Sequence, residues 1–247
     1  MIGVQALRQI TDQYQTTLDH VVKEYFQHIF LSELYREKHS EKLLFKGGTA
    51  LRIVYGSPRF SEDLDFNGVG ISIRQIEGVV EAVLVSMEAQ GIQAVIEESK
   101  KTSGGYLAVF QLSGDGYQSG IQMEVSLRNK AQRKGGTAAL VQSDFVPAYT
   151  LYHLNEQDLV REKVEAALTR SKARDFYDLY FILRSRMAFG PVFGKDKTIK
   201  AKLVSVASKQ RLDLKSELKQ FLPVSQHILL KNFNKTLISE LEKHLPG

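Results

Sequence analysis

Two aspartates one residue apart, Asp63 and Asp65, follow shortly after the glycine pair Gly47-Gly48. In an extended strand successive side chains face opposite ways, so Asp63 and Asp65 project together while Leu64 and Phe66 enter a core. Two carboxylates on one face repel each other until a cation relieves them, and hard oxygen ligands of this kind suit Mg²⁺ or Mn²⁺. The segment Gly47-Gly48-Thr49 follows the apolar run Leu43 to Phe45 and opens a predicted helix. Backbone N–H groups at such a helix start cradle phosphate, and the Thr49 hydroxyl is expected to donate a further hydrogen bond. The Gly-Lys-Ser/Thr ending of a P-loop is absent. Arg59 and Ser61 are expected to flank the same pocket. The plainer alternatives are an ordinary glycine turn and a loop of helix-capping aspartates.

Metal-assisted transfer of a nucleotidyl group requires carboxylates that converge, because the triphosphate charge must be neutralised and the attacking hydroxyl activated. Glu124 is the candidate third ligand. It lies in Ile121 to Leu127, where strand alternation puts Gln122, Glu124 and Ser126 on one face. The alternative for Glu124 is a solvated position on a half-exposed strand.

These residues need elements to hold them. Leu7, Ile10, Tyr14, Leu18, Val21, Tyr25 and Ile29 recur at helical spacing, predicting one long amphipathic helix or two over residues 4–37. Leu43 to Phe45 reads as a short strand, Thr49 to Tyr55 as a helix stopped by Gly56 and Pro58, and Asp63 to Phe66 as the next strand. A helix over Ile73 to Gln90 precedes three strand-like runs, Ile92 to Glu97, Tyr106 to Leu112 and Ile121 to Leu127. Beyond Gly136 strand signals fade, and Pro147 to Leu154 reads as a boundary. Asn155 is a plausible N-cap for a helix reaching Arg170, a second helix covers Arg174 to Arg186, and three more are expected near 196–208, 211–221 and 225–244. The expected architecture is α+β: residues 1–150 form a mixed-sheet domain with an N-terminal helix, and residues 151–247 a C-terminal helical domain.

With 247 residues and no cysteine, the chain has the length for a substantial core and none of the chemistry of disulfides, thiolate metal sites or a cysteine nucleophile. No signal-peptide pattern and no apolar run of bilayer length is present, so a cytoplasmic protein without a membrane partner is expected. The net charge of +5 is uneven: residues 187–247 hold eleven Lys/Arg against five Asp/Glu, leaving 22 against 23 for the rest. Lys195, Lys197, Lys200, Lys202, Lys209, Arg211, Lys215 and Lys219 form a basic tail that either attracts a polyanion or is an ordinary solvated helix face. The loop cations Arg128, Lys130, Arg133 and Lys134 pose the same choice. The six histidines show no ligand-type spacing.

Phe45-Lys-Gly-Gly-Thr-Ala-Leu51, followed by Arg59-Phe-Ser-Glu-Asp-Leu-Asp-Phe66, resembles the first motif of the AbiEii nucleotidyltransferase family, the toxins of type IV abortive-infection systems and the related MenT toxins. Arg161 to Arg170 together with Lys172 to Leu179 is similar to a later motif of that family, a lysine ahead of an Arg-Asp-x-x-Asp helix. The resemblance covers roughly residues 40–185 and implies a DNA polymerase β-like nucleotidyltransferase core with a mixed sheet. It implies Asp63 and Asp65 as metal ligands and catalytic residues, Gly48 and Thr49 in the phosphate turn, and Lys163 on the nucleotide triphosphate. Asp178, with Asp175, would complete the site from the helical domain. Before the resemblance, an interhelical ion-pair network among Lys163, Arg170, Arg174, Asp175 and Asp178 explains the same residues, and Asp175 remains open to a structural role.

The expected activity is transfer of a nucleoside monophosphate from an NTP to an acceptor hydroxyl with loss of pyrophosphate. The resemblance points to the tRNA 3′ end as acceptor and to a separately encoded antitoxin as partner. A protein or small-molecule hydroxyl as acceptor, or a noncatalytic nucleotide- or RNA-binding module, are the alternatives.

Overall fold

The computed structural model describes residues 1–128, 136–185, 187, 197–209 and 217–244, with the side chains at 197 and 209 excepted. The expected RNA-gripping residues Lys130, Arg133 and Lys134, the tail cations Lys195, Arg211 and Lys215, and most of the predicted helix 211–221 lie outside these. The chain divides into two compact units, Met1–Gly56 with Phe60–Leu154, and Ser57–Arg59 with Asn155–Gly247.

The first unit opens with α1 (Val4–Tyr14) and α2 (Leu18–Leu34). One helical periodicity becomes two helices because Gln15 turns left-handed at φ 52° and Thr17 caps the second, its hydroxyl accepting from the His20 N–H. β1 (Leu43–Lys46), α3 (Gly47–Tyr55), β2 (Asp63–Gly68), α4 (Ile73–Ala89), β3 (Gln93–Thr102), β4 (Gly105–Gly114), β5 (Tyr117–Ser126), β6 (Thr137–Val141) and β7 (Tyr149–His153) follow. The strands form one mixed seven-stranded sheet in the order β3-β4-β5-β2-β1-β7-β6. β2 runs parallel to β5 and antiparallel to β1, which places it near the middle.

Two of these strands correct the sequence reading, which expected none after Gly136. Each is five residues long, too short for alternation to register beside Pro147; β6 pairs antiparallel with the nearby β7, and β7 also pairs parallel with the distant β1 at Phe45 and His153.

The core lies on one face of the sheet. α2 and α4 cover β5 and β3 there, and Leu64, Phe66, Phe110, Met123 and Val125 point into it. Phe30 stacks on Phe110 with ring centres 5.5 Å apart, and Phe45 meets Phe66 at 5.4 Å. Aromatic contacts of this kind add to the area each ring buries.

The second unit is helical: α5 (Glu156–Thr169), α6 (Ala173–Arg184), α7 (Lys197–Lys209) and α8 (Phe233–His244), with 3₁₀ segments at Lys219–Phe221 and Val224–Lys231. Asn155 caps α5 as expected, accepting from the Asp158 N–H at 3.0 Å. Phe233 anchors α8 by packing on Tyr177 and Tyr180 of α6, at 6.0 and 5.5 Å. The single helix expected over 225–244 is instead a 3₁₀ segment and then α8. The His227 ring, tied to the Lys219 and Leu222 carbonyls, holds the first part in the tighter winding. Among the described residues no helix is long and apolar enough to cross a membrane.

Candidate active site

β2 alternates as its sequence dictates. Leu64 and Phe66 are fully buried, while Asp63 and Asp65 are half-buried on the opposite face. The register adds what one strand cannot reveal: Asp65 stands directly across from Glu124 on β5, and Asp63 across from Gln122. Neighbouring strands lie only about 4.8 Å apart, so Asp65 and Glu124 are adjacent positions on one face of the sheet. The Gln122 amide donates to Glu124 Oε1 at 2.7 Å and orients it. On the other side of β2, Lys46 is the register partner of Asp65.

The glycine turn is built around the same aspartate. Gly47 has φ +82°, a conformation side chains rarely tolerate, and a Cβ there would lie 2.1 Å from Asp65 Oδ2. Lys46 occupies the N-cap position of α3 and makes no side-chain capping bond. The backbone donors of the first turn, at Gly47 and Gly48, therefore depend on other partners. Thr49 departs from expectation. Only 1% exposed, it donates its hydroxyl to the Asp63 backbone carbonyl at 2.5 Å. Its proton is committed to joining α3 to β2, which leaves backbone N–H groups as the free donors an anion at this turn would need.

Asp65 and Glu124 line a cleft of about 340 Å³, together with Lys46, Ser103, Tyr106 and Arg128. Asp63, Ser61 and the residues of the Gly47–Thr49 turn do not line it. Ser61 belongs to a clamped lead-in to β2: Gln27 donates to the Ser61 and Glu62 carbonyls at 3.0 and 2.9 Å. Arg52, paired with Glu24 at 2.8 Å, lies 3.5 Å over the Phe60 ring. Sequence reasoning missed Gln27, Glu24 and Arg52. Their signal was a polar or charged residue on otherwise buried helix faces.

Arg59, expected to flank the phosphate pocket, groups with the helical unit, where it is 4% exposed and grips Asp178 with two hydrogen bonds, Nε to Oδ1 at 2.8 Å and Nη2 to Oδ2 at 3.0 Å. Lys163 donates to Asp178 Oδ2 at 2.8 Å. Burial would raise the Asp178 carboxyl, but the two cations outweigh it and hold the group down to about 2. The ion-pair network foreseen as an alternative is thus present, and two cations around one carboxylate leave it net positive. Asp175, 1% exposed, accepts from Arg170 at 2.7 Å and from the Lys172 N–H at 3.3 Å. It caps α6, the structural role left open for it, with both oxygens engaged inside the protein.

Among the described residues no three His, Asp or Glu side chains gather as a closed metal cage. Asp63, Asp65 and Glu124 thus do not form a three-ligand centre by themselves. Mg²⁺ does not demand one, since it is usually held by one or two carboxylates, waters and substrate phosphates. Asp65 and Glu124, register partners that line one open cleft, supply hard oxygens of the kind such an ion takes. The buried histidines do not: His28 meets the Tyr149 hydroxyl at 2.9 Å and His153 the Leu154 carbonyl at 2.8 Å.

The family model for the nucleotidyl transferase AbiEii toxin of type IV toxin–antitoxin systems matches residues 29–243. Among solved structures, MenT4, a nucleotidyltransferase toxin from Mycobacterium tuberculosis H37Rv, aligns with TM-score 0.68 at 14% identity, over 98% of this chain and 90% of its own. JHP933 from Helicobacter pylori aligns with TM-score 0.62 at 20% identity, over 92% of each chain. At these identities the likeness is one of fold. A search of curated proteins returned no match.

Proposed function

Because the chain belongs to the AbiEii nucleotidyltransferase toxin family of type IV toxin–antitoxin systems, we propose that it transfers a nucleoside monophosphate from an NTP to a hydroxyl at the tRNA 3′ end, releasing pyrophosphate. The observation that carries this reading is that Asp65 and Glu124 are register partners lining one cleft next to the start of α3. Mg²⁺ or Mn²⁺ would be held by Asp65 and Glu124, with Asp63 on the same strand face. When bound it would neutralise triphosphate charge and make the acceptor hydroxyl a better nucleophile.

The chain's own residues do the positioning. Gln122 orients Glu124, Gly47 leaves room for the Asp65 carboxylate, and the first-turn N–H groups of α3 favour phosphate oxygens. Lys46 brings a cation to the cleft. In the helical unit, the net positive charge around Asp178 supports Lys163 as a phosphate contact, with Asp178, itself gripped by Arg59, holding its ammonium in place. The acceptor oxygen bonds to the α-phosphorus, the bond to pyrophosphate breaks, and the hydroxyl proton leaves to solvent. As an enzyme of NTP and tRNA it would work in the cytoplasm, neutralised by a separately encoded antitoxin.

The test is incubation with Mg²⁺, bulk tRNA and each α-labelled NTP in turn. Label should appear in tRNA with at least one NTP, and Asp63→Ala and Asp65→Ala should each lower the rate by about a hundredfold or more. Transfer that survives both substitutions would remove the mechanism.

A further inference from the structure

We propose that Arg128, laid against Gly104 and tied to Ser103, is a positioning residue that binds the phosphodiester next to the acceptor hydroxyl. The inference rests on the transfer chemistry proposed above and names the acceptor side of that site.

Arg128 continues the outward face of β5. Gln122, Glu124 and Ser126 alternate along the strand, and the Leu127 N–H donates to the Gly104 carbonyl at 2.8 Å, extending the pairing with β4 to the threshold of Arg128. Four residues of extended chain, about 13 Å between Cα atoms, separate Arg128 from Glu124, which leaves room for a terminal sugar and base between guanidinium and carboxylate. Both residues line the same cleft.

The guanidinium has a built seat. A Cβ on Gly104 would lie 2.1 Å from Arg128 Nε and 2.5 Å from Cζ, so a side chain there would push the planar group aside. Nη2 donates to Ser103 Oγ at 3.0 Å. A guanidinium carries five N–H donors in a fixed fork, and among the described residues no carboxylate pairs with this one. An anchored, exposed fork in a cleft matches the geometry of a phosphate better than that of a neutral hydroxyl compound.

Direction follows from the reaction. Displacement at phosphorus keeps attacking and leaving oxygens in line, on opposite sides. Across the sheet the order is β1 leading into α3, then β2 with Asp65, then β5 with Glu124, then β4, whose leading turn carries Gly104. With the leaving pyrophosphate at the α3 N-terminus, the acceptor enters from the β4 side, where Arg128 stands. Its terminal hydroxyl oxygen bonds to the α-phosphorus as the bond to pyrophosphate breaks. Arg128 takes no part in bond making and fixes only the neighbouring phosphate.

The experiment titrates the full chain into a fluorescein-labelled single-stranded RNA oligonucleotide with a free 3′ hydroxyl and follows anisotropy across a salt series. Arg128→Ala should weaken binding about tenfold and reduce the log–log salt slope by about 0.7, the share of one single-strand phosphate. Gly104→Ala keeps the charge, dislodges the guanidinium and should also weaken binding several-fold. Arg8→Ala, an equal charge change on the exposed face of α1, should leave the affinity near wild type. Calorimetry with NTP and Mg²⁺ should be unchanged in Arg128→Ala. RNA binding that ignores Arg128, or an equal loss in Arg8→Ala, overturns the proposal, as does loss of NTP binding in Arg128→Ala. If RNA binding depends on Arg128 while wild type transfers nothing, the RNA site stands and the transferase reading falls.

Discussion

The space where Gly47 would carry a side chain is taken by the carboxylate of Asp65: a Cβ on that glycine would meet Oδ2 at 2.1 Å and the aspartate's own Cβ at 2.9 Å. The turn that starts α3 and the strand that presents the acid therefore determine each other. One supplies a left-handed backbone without a side chain, and the other fills the vacated volume with negative charge beside a helix N-terminus, where it is electrostatically favoured.

Gly47→Ala should separate catalysis from stability. The methyl must displace Asp65 and adopt φ +82°, a strain on the order of 1 kcal/mol, so urea unfolding should show a modest loss. Transfer should fall far more, about a hundredfold, because a shift of roughly 1 Å at a reacting group has that cost. Wild-type turnover in a folded Gly47→Ala protein would show that the position of Asp65 does not matter.

The Arg59–Asp178–Lys163 triad should dominate the stability of the helical unit. Asp178→Asn leaves two cations without their shared anion and should cost about 3–5 kcal/mol in urea unfolding. Asp175→Asn removes a helix cap and one half-exposed arginine contact and should cost about 1 kcal/mol. Because Asp178 is held down to about 2, its contribution is complete above the ordinary aspartate value near 4 and disappears as pH falls toward 2. Equal effects of the two substitutions would contradict this ranking.

Acid should weaken the first unit at a milder pH through a different group. Burial, with the charge of Arg52 second, holds His28 down to about 3, so it stays neutral in the fold while the unfolded chain protonates near 6.5. The unfolded state binds more protons between those values, and stability should fall as pH drops from about 6.5 toward 3, by at most about 1.4 kcal/mol per unit. Half-buried His20, lowered chiefly by burial, acts in the same direction. Urea midpoints measured from pH 7.5 to 4.5 should slope less in His28→Gln, which keeps a polar partner for Tyr149. Identical slopes in the two proteins would exclude His28.

The local code of this chain was readable from residue types alone. Strand alternation put Asp63 and Asp65 on one face and Leu64 and Phe66 in the core, Asn155 announced the start of α5, and Gly47-Gly48 marked a turn. These are interactions between near neighbours, and their periods are written in the order of residues. The α+β class and the family motif were legible for the same reason.

What depended on distant partners was decided only by the tertiary structure. Glu124 could be placed on a strand face from sequence, but its station opposite Asp65 is a matter of β2–β5 register. The strands β6 and β7 exist because other strands complete their hydrogen bonds. The Thr49 hydroxyl donates to the Asp63 carbonyl and the Arg59 guanidinium to Asp178, partners that residue type alone does not reveal. A hydroxyl or a guanidinium carries no mark of which acceptor it will meet, because buried polar groups take the partner that packing brings within reach.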